Sequence, residues 1–313
     1  MNRRKTLFTS FVFIFLTFRY ISVFAQQENV IYSDSTRKVE SIGRRRALSI
    51  LSDEDTVSAS PIWPNINPKL FFQNVRNNVL YPNKINQGAS TNFCSYAAFT
   101  HLMLKYKPDV YVRMLISLYR TGGANLEKKM LKPKKEILQA AGTLRHKGEL
   151  DVLHADQMWF LTLADQFKGY LNVFDHKYNH GDENKIWAAT NYAKFNTMLR
   201  YFTNFHIVSS GSDLFRPAKK DFYAYISRKL LEGVVILYLN SKYMHPTKYT
   251  AFTLRAPTHF VVLYEMYKVG DLIEIKYWDY GLKTVQLITR KRLYKMIFGV
   301  STITTKVEDD TEN

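Results

Sequence analysis

The spacing of apolar residues changes about two thirds of the way along the chain. Before residue 234, apolar residues recur at the three-to-four-residue spacing of amphipathic helices in five segments: 94–107, 109–123, 154–167, 182–202 and 217–233. After it, apolar runs rich in Val, Ile and Tyr alternate with turn residues, at 234–240, 259–267, 272–281 and 283–289. These runs predict an antiparallel sheet. We therefore predict an α+β fold in which a helical half packs against an antiparallel sheet half.

The ends of the chain lack this periodicity and predict a different organisation. Residues 1–25 combine a basic start, an apolar run and small residues, a layout typical of a secretory signal peptide, so we expect export to the periplasm or the medium. Residues 26–60 are polar and charged, which predicts a linker or pro-segment with few contacts. One domain is then expected over 61–305. Residues 306–313 form an acidic tail.

The chain is strongly basic, with a formal net charge of +17. Much of the excess lies in the runs 127–148 and 289–296. Such runs attract anionic partners, for example acidic cell-wall polymers or a membrane surface. Nucleic acid is not an expected partner, because no nucleic-acid-binding motif accompanies the charge. A solvated basic face that only keeps the protein soluble is the alternative.

Cys94 is the only cysteine of the chain and the first candidate for chemistry. Ser90, Thr91 and Asn92 are good N-cap residues just before it, which predicts that the thiol lies in the first turn of a helix. Amide groups at a helix N-terminus favour a thiolate. Gln87, on the loop that leads to the helix, is expected to donate its amide to an oxyanion. The alternative is a cysteine that is only packed in the core.

His259 and Asp279 are the expected partners of the thiol. A cysteine nucleophile needs a base, and the base needs a third group that orients it. His259 opens the strand 259–267, and Asp279 lies near the end of the next run, 272–281. Two strands joined by a short connection bring such positions side by side. The sequence therefore predicts a Cys94–His259–Asp279 triad, although Asp279 alone also suits an ordinary turn.

The sequence places, in this order, a loop glutamine, a helix-starting cysteine, a strand-opening histidine and a strand-ending aspartate. This order resembles the papain-like cysteine peptidases, and most closely their bacterial double-glycine (bacteriocin-processing) branch. In that branch the cysteine helix typically reads Cys-Gly-x-Ala-Ala, the histidine opens a run of valines, and glycine closely follows the aspartate. The corresponding stretches here are "CSYAA", "HFVVLYE" and "DYG". The likeness extends over about 80–305, but its specific part is 85–99 and 234–281. Ser95 replaces the usual glycine. Gln87 lies seven residues before the cysteine where papain has six, which makes Asn92 a substitute candidate for the oxyanion donor. The segment at about 100–215 is longer than these peptidases need and is unmatched, so the resemblance implies a helical insertion there.

The resemblance implies a papain-like fold and a thiol hydrolase that cleaves peptide or amide bonds, and the predicted signal peptide makes it an exported one. It implies Cys94 as nucleophile, His259 as acid and base, Asp279 as its orienter, and Gln87 with the Cys94 backbone N–H as the oxyanion hole. A protein or peptide is the implied substrate, with no metal and no cofactor. Two alternatives use the same triad: a cell-wall peptide amidase, and an effector that deamidates or crosslinks glutamine. The third is a non-catalytic basic binding protein.

Overall fold

The computed structural model describes residues 40–53, 58–88, 91–126, 129–144, 152–168, 177–202, 206–244 and 259–304. The predicted signal peptide, the first part of the predicted linker and the acidic tail lie outside these residues. No helix in the described ranges is long and apolar enough to cross a membrane.

The described residues contain both helices and strands, and the α+β prediction is therefore confirmed. The helices are α1 (40–53), α2 (Pro68–Leu80), α3 (Cys94–Tyr106), α4 (Pro108–Thr121), α5 (Lys135–Ala140), α6 (His154–Phe167), α7 (Tyr192–Phe202), α8 (Phe222–Glu232) and α9 (Arg290–Met296). The strands are β1 (Ala124–Leu126), β2 (Lys129–Leu131), β3 (His206–Gly211), β4 (Val234–Leu239), β5 (His259–Val269), β6 (Leu272–Asp279), β7 (Leu282–Thr289) and β8 (Ile297–Thr304).

Six strands form one antiparallel sheet in the order β3-β8-β4-β5-β6-β7, and β1 and β2 form a separate hairpin. The central strands bury residues on both faces of the sheet, because successive side chains of a strand point to opposite faces. In β5, Phe260 and Val262 join the larger core with the helices that precede the sheet. Val261 and Leu263 join a smaller core with α8 and α9. The cysteine helix α3 packs on β5 from the larger core.

Two strands of the sheet were not predicted. β8 is the last strand in the chain, yet it lies between β3 and β4. Its sequence, "IFGVSTIT", contains a glycine and hydroxyl residues and does not read as an apolar run. Gly299 is required there because the Tyr192 ring lies against it: a Cβ on Gly299 would come within 2.5 Å of that ring. Tertiary packing, and not local propensity, therefore places this strand.

The helix predicted over 182–202 begins only at Tyr192. Before it, Asp182–Asn184 form a single 3-10 turn. The side chain of Asp182 accepts the backbone N–H of Asn179 at 2.8 Å, and Glu183 accepts that of Gly181 at 2.9 Å. The two carboxylates thus bind backbone N–H groups of residues that precede them in the loop, and they do not cap a helix that follows.

The prediction of few contacts for residues 26–60 was wrong for the part that the structure describes between 40 and 53. This part is the helix α1, and its Ala47 and Leu51 are buried in the larger core. Apolar residues at positions 47, 48, 50 and 51 give one face of the helix enough apolar area to pack. The charged residues around them concealed this short pattern.

Candidate functional site

Cys94 is the first residue of α3 and is buried. The predicted cap was wrong in detail, because the N-cap position is Phe93 and no side chain caps the helix there. Thr91 instead accepts the backbone N–H of Phe93 at 3.3 Å and donates its hydroxyl to the carbonyl of Gln87. It therefore fixes the loop before the helix. Ser90 lies outside the described residues. The first-turn placement of the thiol is as predicted.

Asn92, the substitute oxyanion donor, connects the cysteine loop to the helical insertion. Its backbone N–H donates to the carbonyl of Glu183 at 2.9 Å, and its side-chain amide donates to the carbonyl of Lys185 at 2.8 Å. Gln87 is also buried, on the loop before the cysteine. Because the Asn92 amide is already used in holding the loop, Gln87 is the better candidate of the two for an oxyanion.

The structure brings the three predicted catalytic residues together. His259 begins β5 and Asp279 ends β6, and because the two strands are antiparallel, both residues lie at the same end of the strands. The Nε2 atom of His259 is 2.6 Å from Oδ1 of Asp279. The side chains of His259 and Cys94 also form a hydrogen bond. Since Nε2 is taken by the aspartate, Nδ1 is the ring nitrogen available to the thiol.

The electrostatics of the site favour a protonated histidine. Burial of the ring lowers the pKa of His259, but the neighbouring Asp279 carboxylate and the Cys94 side chain outweigh that effect. The net result is a pKa well above the ordinary value for histidine. An imidazolium between a carboxylate and a thiolate is the charge arrangement that stabilises an ionised cysteine nucleophile.

Tyr280 covers the histidine and was missed at the sequence level. Its ring is stacked on that of His259, with ring centroids 5.1 Å apart and planes 15° from parallel. Its backbone has φ of 47°, a left-handed conformation that a residue with a large side chain adopts only at a cost. Gly281 follows with φ of 76° and packs against the loop before the cysteine: a Cβ there would lie 3.1 Å from the carbonyl oxygens of Lys84 and Ile85.

His101 joins the cysteine helix to the sheet, a role that sequence reasoning did not assign. Its ring stacks on Trp278 of β6, with centroids 4.7 Å apart and planes 3° from parallel. Nδ1 contacts the carbonyl of Pro82 at 3.0 Å, and Nε2 contacts the hydroxyl of Tyr264 at 2.8 Å. Trp278 in turn donates its indole N–H to the carbonyl of Asn83 at 2.9 Å. We call these five residues the clamp.

The clamp fixes one tautomer of His101. The carbonyl of Pro82 can only accept, so Nδ1 carries the proton and Nε2 accepts from Tyr264. Burial lowers the pKa of His101 to about 4, so the ring is neutral near physiological pH. Because Trp278 immediately precedes Asp279, the clamp sets the position of the sheet relative to the helix that carries Cys94.

No protein-family model, no curated protein and no solved structure matches this chain. Within the described residues, no group of three or more His, Cys, Asp or Glu side chains is arranged to hold a metal ion. Chemically, the arrangement offers a nucleophile, a general acid and base, and a carboxylate that orients the base.

Proposed function

We propose that the protein is a papain-like thiol hydrolase that cleaves peptide or amide bonds through Cys94, His259 and Asp279. The observation that carries this proposal is the chain of contacts from the cysteine through the histidine to the aspartate, with a distance of 2.6 Å between Nε2 and Oδ1. A cysteine that served only as core packing would need neither a hydrogen-bonded histidine nor an aspartate behind it.

In the first half of the reaction, the Cys94 thiolate attacks the carbonyl carbon of the substrate amide. The carbonyl oxygen becomes an oxyanion, which the Gln87 amide and the backbone N–H of Cys94 bind. The carbon–nitrogen bond then breaks, and His259 gives its proton to the departing amine. The acyl group remains on the sulfur as a thioester.

In the second half, His259 is neutral and acts as a general base. It takes a proton from a water molecule, which attacks the thioester carbonyl. The carbon–sulfur bond breaks, the carboxylic acid leaves, and the thiolate and the imidazolium are restored. Throughout, Asp279 accepts from Nε2, so the imidazole keeps the orientation in which Nδ1 faces the sulfur.

The test is turnover on a broad set of amides: a peptide library, cell-wall peptide fragments and a glutamine-containing protein. We expect hydrolysis of at least one class, lost in Cys94→Ala and reduced nearly as far in His259→Ala. The matched control is His206→Ala, an exposed histidine at the start of β3, which should retain activity. If Cys94→Ala keeps the activity, the proposal is wrong.

A further inference from the structure

Two large apolar side chains stand out on the surface at the turn after β3. Leu214 is 78% exposed and Phe215 is 74% exposed. The turn that carries them is closed by Ser212, whose hydroxyl accepts the backbone N–H groups of Leu214 at 3.2 Å and Phe215 at 2.8 Å. The Asp213 carboxylate accepts the Tyr238 hydroxyl at 2.9 Å, which anchors the turn to β4. The apolar pair therefore projects from a fixed support.

Cationic residues adjoin this pair on the same turn and on α9. Arg216 donates to the carbonyl of Lys295 at 3.0 Å, and its guanidinium lies 4.1 Å from the ring centroid of Phe298. This contact joins the turn to the basic helix α9, where Tyr294 is half exposed. Residues 212–221 and 290–296 together contain seven Lys or Arg and only two Asp. The basic-apolar patch consists of Leu214, Phe215, Arg216, Tyr294 and Lys295.

The basic-apolar patch lies at the same end of the strands as the candidate catalytic residues. Gly211, where β3 ends, is paired with Gly299; Gly299 is paired with Tyr238, and Tyr238 with Phe260. Phe260 is the residue next to His259. Three interstrand spacings, about 14 Å, therefore separate the end of β3 from the strand that begins with the histidine.

We propose that the basic-apolar patch docks the protein on an anionic lipid surface. A protruding pair of apolar side chains suits insertion into the soft boundary between headgroups and acyl chains, whereas a protein partner would need a matching pocket. A half-exposed tyrosine suits the headgroup level, and the surrounding cations attract anionic headgroups. Docking in this way brings the end of the strands that carries His259 and Asp279 close to the membrane surface.

Tryptophan fluorescence gives a site-specific test in the full chain. The four native tryptophans, Trp63, Trp159, Trp187 and Trp278, are all buried. Phe215→Trp therefore adds an exposed reporter in the patch. The matched control is Leu231→Trp on α8, because Leu231 is 82% exposed and lies beside the start of β4, at the opposite end of the strands.

We expect the Phe215→Trp emission to shift to the blue on vesicles that contain phosphatidylglycerol, and brominated acyl chains to quench it. Leu231→Trp should change in neither respect, and vesicles of phosphatidylcholine alone should give little response. Adding Lys295→Glu to the reporter chain should weaken vesicle affinity about fivefold or more. Lys268→Glu should not, because Lys268 is exposed at the opposite end of the strands.

Three results would overturn the proposal. One is a Phe215→Trp emission that stays unquenched on anionic vesicles, even if the chain sediments with them through its apolar N-terminal segment. Another is equal quenching of the Leu231→Trp control. The third is binding to anionic vesicles that soluble polyglutamate abolishes and that Phe215→Ser leaves unchanged. That result would identify a general polyanion site. The measurement is independent of Cys94, so it succeeds or fails separately from the proposed hydrolase activity.

Discussion

Acidification should loosen the joint between the cysteine helix and the sheet by protonating His101. Burial lowers the pKa of this histidine to about 4 in the folded protein, from the ordinary value of 6.5 that it has in the unfolded chain. The folded state therefore binds fewer protons than the unfolded state between these two values. It follows that the contribution of His101 to the free energy of unfolding is complete above pH 6.5 and is lost as the pH falls towards 4. A difference of two to three pKa units corresponds to about 3 kcal/mol.

His101→Phe isolates this contribution. The variant keeps an aromatic ring to stack on Trp278, but it cannot titrate and it loses the contacts to Pro82 and Tyr264. Two lost hydrogen bonds with partly buried partners cost about 2–3 kcal/mol at neutral pH. As the pH falls towards 4, the wild type loses a similar amount at this position and the variant does not. The difference between the two chains should therefore close.

The assay is urea unfolding of both chains at a series of pH values, followed by the fluorescence of the buried tryptophans. Other titrating groups act on both chains, so their effects cancel in the difference. A difference in the free energy of unfolding that stays constant from neutral pH to about pH 4 would refute the reasoning, because it would mean that His101 is protonated equally in the two states.

Three further predictions concern single residues. Burial raises the pKa of Asp156 from 3.8 to about 7, so its contribution to stability should decline as the pH rises through this range, and Asp156→Asn should remove about 4 kcal/mol of that dependence in urea titrations. Tyr280→Gly should lower turnover about tenfold, because it removes the ring stacked on His259. The free energy of unfolding should change by less than about 1 kcal/mol, because glycine accepts a φ of 47° that tyrosine resists; a parallel loss of stability would mean that Tyr280 is only structural. Gln87→Ala should lower kcat by about 10²–10³ with little change in KM, whereas Asn92→Ala should mainly lower the melting temperature, and the reverse pattern would exchange their roles.

The positions of the three candidate catalytic residues could be predicted because local patterns determine them. Cys94 follows a turn-prone loop and begins a helix, while His259 and Asp279 lie at the ends of adjacent apolar runs. Adjacent antiparallel strands with a short connection leave little freedom in which ends meet. Local sequence did not determine the cap, since Thr91 is two residues before the N-cap and bonds within its own loop.

Features that depend on distant partners could not be predicted. His101 meets Tyr264, a residue 163 positions away, so its sequence neighbours give no sign of the clamp. β3 and β8 also pair over a long distance in the sequence, from His206 with Thr304 to Gly211 with Gly299. Both strands contain Gly, Ser and Thr, which interrupt the apolar pattern that predicts a strand. Tyr280 contradicts its local propensity, because a bulky residue at positive φ is tolerated only where the surrounding structure holds it.

The rate at which iodoacetamide alkylates Cys94 tests the central claim most directly. It should be measured against pH in the folded wild type and in His259→Ala, with intact mass confirming single labelling at the only cysteine. If His259 holds Cys94 as a thiolate, the wild type should react quickly even in mildly acidic buffer, and His259→Ala should react slowly there and recover only in alkaline buffer. A wild type that reacts no faster than His259→Ala, or that reacts only after denaturation, would contradict the account.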